Sequence, residues 1–334
     1  MNAAVVSVAR CAAMYNMQLM GIKRGYNGLL GLSEDPEDDI TALDLETVLD
    51  IADMRGTFLR TARCETFHLP DVQRRAAENL REIGVDALVV IGGDGSFNGA
   101  LRLSELGIPC ICIPGTIDND LGYTESTLGF DTAVNVCVDA VRCVRATSRS
   151  HDRPAVVQVM GRNAGDIAVR TAIATGAEMV VVPEVEWDID VLAARLNSLI
   201  AEGNTRATLV IGEHCWHKMK ELDWRQFLNN NGKTVYPGEP ITAERLASIL
   251  KRKCNGIEAR ATVIGYTQRG AIPTASDSAF AFEAGYLAVR LLTRGITNQA
   301  IGLRHGRVFN MPIADALSMK KHFDMELYEL VNKL

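Results

Sequence analysis

The chain has 334 residues, which is long for one hydrophobic core and fits two α/β domains of ordinary size. Its net charge of −6 provides no overall basic field, which argues against binding to nucleic acid or to an anionic membrane surface. Eight cysteines are scattered without a CxxC pair, as is typical of a reducing cytosol where most cysteines are core residues. No segment approaches the ~20 apolar residues that span a bilayer, and the apolar start lacks the basic leading region of a signal peptide. We therefore expect a cytoplasmic protein.

In chain order, the sequence starts with residues 3–14, whose periodicity predicts an amphipathic helix. Short β-rich apolar runs then alternate with longer helical patterns. The predicted strands are residues 18–22, 87–91, 110–113, 156–160, 179–182, 208–211 and 262–264. The helices predicted to follow them are residues 99–106, 133–146, 167–175, 191–202 and 279–292. This alternation predicts mostly parallel sheets flanked by helices.

Two polar stretches, residues 33–39 and 218–240, are predicted to be surface excursions between these elements. Neither a short repeat nor a low-complexity linker separates the domains, so the boundary is expected where the chain crosses between two packed sheets. Cys110 and Cys112 are two residues apart in one predicted strand. They should share one face of it and pack in the core.

A glycine-rich loop follows the predicted strand 87–91 and has the sequence GGDGS at residues 92–96. Glycines let backbone N–H groups approach a phosphate, and a following helix offers its positive end. Asp94 is placed to hold a magnesium ion that bridges phosphates. On these residues alone, a tight strand-to-helix turn capped by Asp94 is an equally consistent interpretation.

An acidic loop, PGTIDND at residues 114–120, follows the predicted strand 110–113. If this loop is extended, Asp118 and Asp120 lie on one side with Thr116 beside them. One carboxylate would then accept the proton of an attacking hydroxyl while the other fixes it or the metal shell. In isolation the loop would be an acidic turn. The two loops, however, lie about 20 residues apart at the carboxyl ends of strands, where neighbouring strands bring ligand loops to one crevice.

With both loops in place, the sequence resembles the phosphofructokinase family along almost all of its length. The segments that carry the resemblance are VVIGGDGS (89–96), PGTIDND (114–120), LGFDTA (128–133), VMGRNAGD (159–166), VVVPEV (180–185), IGEH (211–214) and ARATVIGYTQRG (259–270). The resemblance implies two similar Rossmann-like, three-layer α/β domains with mostly parallel sheets and the active site in the cleft between them. It implies an ATP-binding domain of residues 1–129 plus 268–318 and a fructose 6-phosphate-binding domain of residues 130–267 plus 319–334.

The activity that the resemblance implies is that of a 6-phosphofructokinase. This enzyme moves the γ-phosphate of Mg-ATP onto the 1-hydroxyl of fructose 6-phosphate, the committed step of glycolysis, and works as a homotetramer. Asp118 resembles the base that accepts the hydroxyl proton, and Asp120 resembles the residue that supports metal and base. Thr116 and Arg162 resemble the groups that stabilise the transferring phosphoryl group, and Asp94 is similar to the magnesium residue.

The resemblance also implies a set of contacts for each substrate. The ATP contacts are Arg63, Cys64, Gly92, Gly93, Asp94, Gly95 and Ser96. The fructose 6-phosphate contacts are Thr116, Asp118, Asp120, Arg153, Met160, Gly161, Arg162, Glu213, Arg260, Tyr266 and Arg269. In the family, the equivalents of Arg153 and Arg260 reach in from a neighbouring subunit. Forked guanidiniums suit a dianionic phosphate, because their paired N–H groups match its oxygens.

Two glycines bear on the phosphoryl donor. Pyrophosphate-using relatives usually carry Asp after GGD and Lys before TIDND, in space that the α-phosphate of ATP would need. Here these positions are Gly95 and Gly115, which favour ATP. A pyrophosphate-dependent enzyme remains the alternative among enzymes.

The chain also departs from the family pattern. The family opens with a strand and a GG(D/N)xPG loop that contacts ATP, whereas this sequence opens at Met1, so we expect the natural start to lie upstream. Tyr266 stands where a substrate-contacting His is usual. These two departures favour a second alternative, a non-catalytic phosphofructokinase-like subunit, which the intact acidic loop and Arg162 oppose.

The basic effector pocket of bacterial relatives is depleted in this sequence. Arg10 and Arg145 remain. The positions that carry Arg or Lys in relatives but not here are Val6, Leu45, Glu202 and Asn204. A site that binds ADP or phosphoenolpyruvate by charge is therefore expected to be weakened.

Overall fold

The computed structural model describes residues 1–32, 38–220 and 242–333, so both predicted polar excursions lie largely outside the described residues. Within these ranges the α-helices are α1 (Asn2–Met14), α2 (Tyr26–Leu29), α3 (Leu45–Val48), α4 (Pro70–Glu82), α5 (Asp94–Glu105), α6 (Phe130–His151), α7 (Asp166–Thr175), α8 (Ile189–Ala201), α9 (Ala243–Lys253), α10 (Ala275–Thr293), α11 (Ile313–Ser318) and α12 (Met325–Lys333). The strands are β1 (Met20–Ile22), β2 (Ile40–Ala42), β3 (Leu88–Gly92), β4 (Cys110–Pro114), β5 (Ala155–Val159), β6 (Met179–Val181), β7 (Thr208–Gly212), β8 (Arg260–Val263), β9 (Gln299–Arg304) and β10 (Arg307–Pro312). Among the described residues, none of the helices has the length and apolarity needed to cross a membrane.

The chain forms two compact units. Unit 1 consists of Met1–Thr132 and Gly270–Lys321, and unit 2 of Ala133–Arg269 and His322–Leu334. Each unit is built on a four-stranded sheet, in the order β10-β9-β4-β3 in unit 1 and β6-β7-β5-β8 in unit 2. Within these two sheets, neighbouring strands are parallel except β9 and β10, which form an antiparallel pair at the edge of the first sheet. The predicted α/β class with mostly parallel sheets is confirmed.

The central strand β4 shows how the first sheet is covered on both faces. Cys110 and Cys112 pack with side chains of α4 and α5, whereas Ile111 and Ile113 pack with side chains of α1 and α10. Successive side chains of a strand point to opposite faces of the sheet. With helices packed on both faces, the unit has three layers. Burial raises the pKa of the Cys110 thiol to about 12 and that of Cys112 well above its ordinary value. Both thiols are therefore protonated, and the prediction that they pack in the core from one face of a strand is confirmed.

Helix α1 is confirmed, but the prediction that it is amphipathic is wrong for its first eight residues. Every residue from Asn2 to Ala9 is buried, because α10, α3 and the sheet surround this part of the helix. The approach to α10 is close at Gly285, where a Cβ would lie 2.6 Å from Ser7 Cβ. Ser7 Oγ donates to the carbonyl of Phe282 at 2.6 Å. An amphipathic helix requires a polar face exposed to solvent, and this enclosed part of α1 has none.

Unit 2 has an all-parallel sheet with helices on both faces. Helices α8 and α9 pack with alternate residues of β5, β6 and β7, and α7 and α12 also lie against β6 or β7. The side chain of Asn332 in α12 bonds both polar groups of Val180 in the edge strand β6, at 3.0 Å from its N–H and 3.1 Å from its carbonyl. The amide thereby takes the place of a further strand along that edge.

All seven predicted strands are confirmed to within two residues at their ends, although one of them lies elsewhere than expected. β1 does not join a parallel sheet; it pairs antiparallel with β2, with Met20 opposite Ala42. Strands β2, β9 and β10 were not predicted from the sequence. β10 begins at Arg307 and ends at Pro312, and its half-exposed edge position removes the apolar run that marks a buried strand.

Candidate active site

The two candidate loops begin at the same edge of the first sheet. β3 and β4 are parallel and in register, with Gly92 opposite Pro114. Gly115 N–H extends the pairing by donating to the carbonyl of Gly92 at 2.8 Å. One residue further along each loop, a Cβ on Gly93 would lie 3.5 Å from Thr116 Cβ. The glycine-rich loop and the acidic loop are thus neighbours in space.

The glycine-rich loop leads directly into α5. A Cβ on Gly92 would lie 2.3 Å from Ser96 Oγ, so only glycine fits where the chain turns into the helix. Asp94 is the first residue of α5 and is exposed, as is Gly95 beside it. A Cβ on Gly95 would meet no atom within 4 Å. The positive end of α5 therefore opens onto free space beside an exposed carboxylate, an arrangement suited to phosphate groups.

The segment that carries Arg63 and Cys64 is linked to this helix through α2. Tyr26 Oη donates to the carbonyl of Ser96 at 2.6 Å, and Asn27 Nδ2 donates to the carbonyl of Arg63 at 3.2 Å. The Tyr26 ring stacks on Phe67, with ring centroids 3.9 Å apart. Burial raises the pKa of Tyr26 well above its ordinary value, so its hydroxyl stays protonated and keeps donating. The predicted ATP contacts of unit 1 are thus connected by a short chain of bonds.

The acidic loop is held in shape by its neighbours. Asp118 N–H donates to Thr116 Oγ1 at 3.1 Å, and Thr127 Oγ1 donates to the carbonyl of Thr116 at 2.6 Å. Asn119 is buried and has a φ of 53°, a left-handed conformation that Asn tolerates better than most residues. The loop is not extended, because the backbone bends at Ile117 and Asp118 and is left-handed at Asn119. The alternation of an extended chain therefore does not apply to Asp118 and Asp120.

Unit 2 contains a second tightly held loop, directly after β5. Glu213 Oε1 accepts from Gly161 N–H at 3.1 Å and from Arg162 N–H at 2.7 Å. The buried Gln268 accepts from Met160 N–H through its Oε1 at 2.9 Å. Arg162 has a φ of 54°, an uncommon conformation for a residue with a side chain, and it projects an exposed guanidinium. Three anchored N–H groups in a row hold the backbone in a conformation that it would otherwise rarely adopt.

A pocket of about 210 Å³ lies beside this loop. Its lining residues are Gln158, Val159, Met160, Glu213, Val263, Gly265 and Tyr266. The structure thus brings together three of the predicted sugar-phosphate contacts, namely Met160, Glu213 and Tyr266. Tyr266 is 85% exposed, and Arg269 ends the short 3-10 helix to which it belongs.

Two other predicted contacts lie at the opposite side of the same sheet, where its strands begin. Arg153 precedes β5, and Arg260 opens β8, paired in register with the first residue of β5. Met160 and Glu213 instead follow the carboxyl ends of β5 and β7. A five-residue strand at about 3.3 Å per residue separates the two edges by about 13 Å or more. A single copy of unit 2 therefore does not gather all of these residues around one ligand.

Some residues that hold the site together were not singled out from the sequence. Gln268 lies inside the segment 259–270, and Thr127 comes directly before the segment 128–133, so both were close to recognisable motifs. The signal available was a buried polar residue next to a loop with many backbone N–H groups to satisfy. Sequence alone does not tell which N–H group a given side chain will bond.

The family model described as phosphofructokinase matches residues 1–292 of the chain. The chain belongs to the phosphofructokinase family.

Members of this family with assigned activities match the chain from end to end. It is 42% identical to an ATP-dependent 6-phosphofructokinase of Paenibacillus macquariensis over 334 residues, which is 100% of this chain and 94% of the relative. It is 41% identical to ATP-dependent 6-phosphofructokinase 1 of Clostridium perfringens, with coverage of 100% and 95%.

A solved phosphofructokinase from Saccharomyces cerevisiae is similar in structure. The TM-score is 0.80 at 27% identity, with 99% of this chain and 48% of the yeast chain covered. This chain spans about half the length of the yeast chain. The phosphofructokinase fold predicted from the sequence is confirmed.

Proposed function

We propose that the chain is an ATP-dependent 6-phosphofructokinase, which transfers the γ-phosphate of ATP to the 1-hydroxyl of fructose 6-phosphate and releases fructose 1,6-bisphosphate and ADP. The observation that carries the proposal is the meeting of a glycine-rich loop and an acidic loop at one edge of a parallel sheet. It is made in a chain that matches ATP-dependent 6-phosphofructokinases over its full length.

In this proposal Asp118 removes the proton from the attacking 1-hydroxyl. Its backbone N–H is bonded to Thr116 Oγ1, and the next residue, Asn119, is buried and left-handed, so the backbone that carries Asp118 is held in place. A base held in this way contributes through both geometry and proton transfer. Thr116 stabilises the transferring phosphoryl group from the acidic loop, and Arg162 does so with its guanidinium, whose N–H groups suit phosphate oxygens.

The nucleotide phosphates would lie at the start of α5. Its first N–H groups, beside Gly93 and Gly95, provide a partly positive surface, and Arg63 and Cys64 would add further contacts to the nucleotide. The exposed carboxylate of Asp94 is a hard oxygen donor of the kind that Mg²⁺ prefers, so the residues present fit this ion. When bound, Mg²⁺ neutralises charge on the transferred phosphate. Asp94 would hold it, with Asp120 in support.

Fructose 6-phosphate would bind beside the loop Met160–Arg162 in unit 2. Glu213 presents its carboxylate to the pocket, and Arg269 and the hydroxyl of Tyr266 are the donors available for the 6-phosphate. Arg153 and Arg260 lie too far away in the same copy. We propose that they act on the substrate of a neighbouring subunit, which makes the functional unit a homo-oligomer, a homotetramer by resemblance.

ATP is the proposed donor rather than pyrophosphate. The open space beside Gly95 supports this choice, since an aspartate there would fill the region next to the helix start. Gly115 has a separate packing role, because a Cβ there would lie 3.0 Å from Ile91 Cγ2 and 3.2 Å from Gly92 N. The relatives named above add support, because both are named for ATP.

The test is a coupled assay for fructose 1,6-bisphosphate with the purified protein. We expect turnover with Mg-ATP and at least about tenfold less with pyrophosphate at matched concentrations. Faster turnover with pyrophosphate would reverse the choice of donor. No turnover with either donor would favour the non-catalytic alternative.

A further inference from the structure

One carboxylate at the amino edge of the unit 2 sheet is surrounded by three cations. Glu258 Oε2 lies 3.2 Å from Arg153 Nη2, and Glu258 Oε1 lies 2.9 Å from Arg260 Nη2 and 3.9 Å from Lys251 Nζ. The side chain of Glu258 is one-third exposed, so the cluster lies at the surface of this copy. Among these residues, the sequence had pointed only to the two arginines.

The geometry of this cluster differs from that of a simple surface ion pair, because one carboxylate keeps two guanidiniums close together. Two guanidiniums that converge without an anion between them would repel each other and swing apart, since each ends a long and flexible side chain. Glu258 offers one oxygen to each, which brings the two forks together. Each guanidinium carries five N–H donors. One contact with Glu258 leaves most of these donors for a second, doubly charged anion.

We propose that Glu258 is a positioning residue for the substrate phosphate. It holds Arg153 and Arg260 together so that they meet the 6-phosphate in the neighbouring subunit as a preformed pair. This inference rests on the proposed function and adds a residue to which neither the motifs nor the family resemblance had assigned a role. The three cations and one anion carry a net charge of +2, which matches a phosphate dianion.

The effect of removing Glu258 on the affinity for fructose 6-phosphate distinguishes this role from simple charge repulsion. If Glu258 acted only as a negative charge near the phosphate, its removal would strengthen binding of fructose 6-phosphate. If it orders the two arginines, its removal weakens binding, because the substrate must then order two long side chains itself. That cost corresponds to roughly fivefold to hundredfold in affinity.

The test compares Glu258→Gln with the parent enzyme and with Glu105→Gln. Glu105 pairs with Arg102 at the end of α5 and serves as a matched control, an arginine-paired glutamate away from the cluster. We expect Glu258→Gln to raise the KM for fructose 6-phosphate at least about fivefold. The value of kcat, the KM for ATP and the melting temperature should change little. Glu105→Gln should leave all four unchanged.

A second variant keeps the test decisive if Glu258→Gln does not fold. Glu258→Asp retains the charge at shorter reach and is expected to give an intermediate KM for fructose 6-phosphate. An unchanged or lowered KM in both variants, with an active parent enzyme, overturns this inference and leaves the proposed function intact. An inactive parent enzyme overturns the proposed function, and this inference with it.

Discussion

Asp118 is the single residue on which the proposed chemistry depends most. We expect Asp118→Asn to keep the fold and the binding of both substrates while reducing kcat by ~10²–10⁴-fold, as is usual when a general base is lost. The amide preserves the shape of the side chain but cannot accept the hydroxyl proton. The measurement is kcat in the coupled assay, with substrate binding followed separately by calorimetry.

Asp139→Asn is the control for this prediction. Asp139 is an exposed carboxylate on α6 that pairs with Arg142 at 3.5 Å, so its loss should leave kcat unchanged. Near-full activity of Asp118→Asn would show that the proton goes elsewhere, and the base assignment would have to be withdrawn.

At the scale of single residues, the sequence predicted the candidate site residues better than the residues that hold them in place. The glycines and carboxylates stood out because their chemistry and spacing are unusual. Asn119, Gln268 and Glu258 did not, since each acts through particular contacts that only folding reveals. Asn119 also shows that alternation along a chain is no guide where one residue is left-handed.

The starts of α6 and α10 are joined by one buried carboxylate. Asp277 accepts from Gly129 N–H at 2.9 Å, from Thr132 N–H at 2.8 Å and from Thr132 Oγ1 at 2.5 Å. It is 5% exposed, so water does not replace these bonds readily. We expect Asp277→Ala to lower the free energy of unfolding by about 2 kcal/mol or more, because it leaves several donors unsatisfied. Thermal unfolding followed by circular dichroism measures the effect.

Asp315→Ala provides the comparison. Asp315 is also an aspartate in the first turn of a helix, α11, but it is exposed. Its replacement should change stability by less than about 0.5 kcal/mol. Equal effects of the two variants would mean that Asp277 acts only through the helix dipole and not through its buried bonds.

Whole elements were predicted where the apolar pattern was dense. The buried strands β4 to β7 and the long helix α10 have such patterns. Helix α4 was missed because its exposed face carries many charged side chains and few of its residues are buried. Helix α9 was missed because it follows directly on the polar stretch 218–240, which hid its start. The C-terminal edge pair β9 and β10 carries too few consecutive apolar residues to stand out.

For the whole molecule, the four non-basic residues expected at the effector pocket of bacterial relatives predict weak regulation. Arg145, one of the two remaining arginines, is bonded through both guanidinium ends to Glu178, at 3.0 and 3.2 Å, and Asn204 bonds the same carboxylate at 3.1 Å. Each lost charge-assisted bond removes about 1.5–3 kcal/mol, so two lost bonds weaken an anionic effector by roughly a hundredfold or more. A ligand that does not bind cannot shift an equilibrium. We expect little response to ADP or phosphoenolpyruvate.

The measurement is a fructose 6-phosphate saturation curve with and without millimolar phosphoenolpyruvate. The two curves should nearly coincide. A pronounced sigmoidal shift that disappears on replacing Arg10 and Arg145 would show that the pocket still works, and the prediction would then be wrong.

Arg153 and Arg260 lie at the amino ends of the strands of the unit 2 sheet, whereas Met160 and Arg162 lie at the carboxyl ends. This placement determines how inactivating mutations combine in a homo-oligomer. If each reaction centre draws one edge from each of two copies, a copy that lacks Arg153 still offers an intact Arg162, and the reverse holds as well. Two inactive variants, mixed and reassembled, should then recover part of the lost turnover, since some of the new junctions combine two undamaged halves. Conversely, one inactive copy would also inactivate the centre that it shares with an unaltered neighbour.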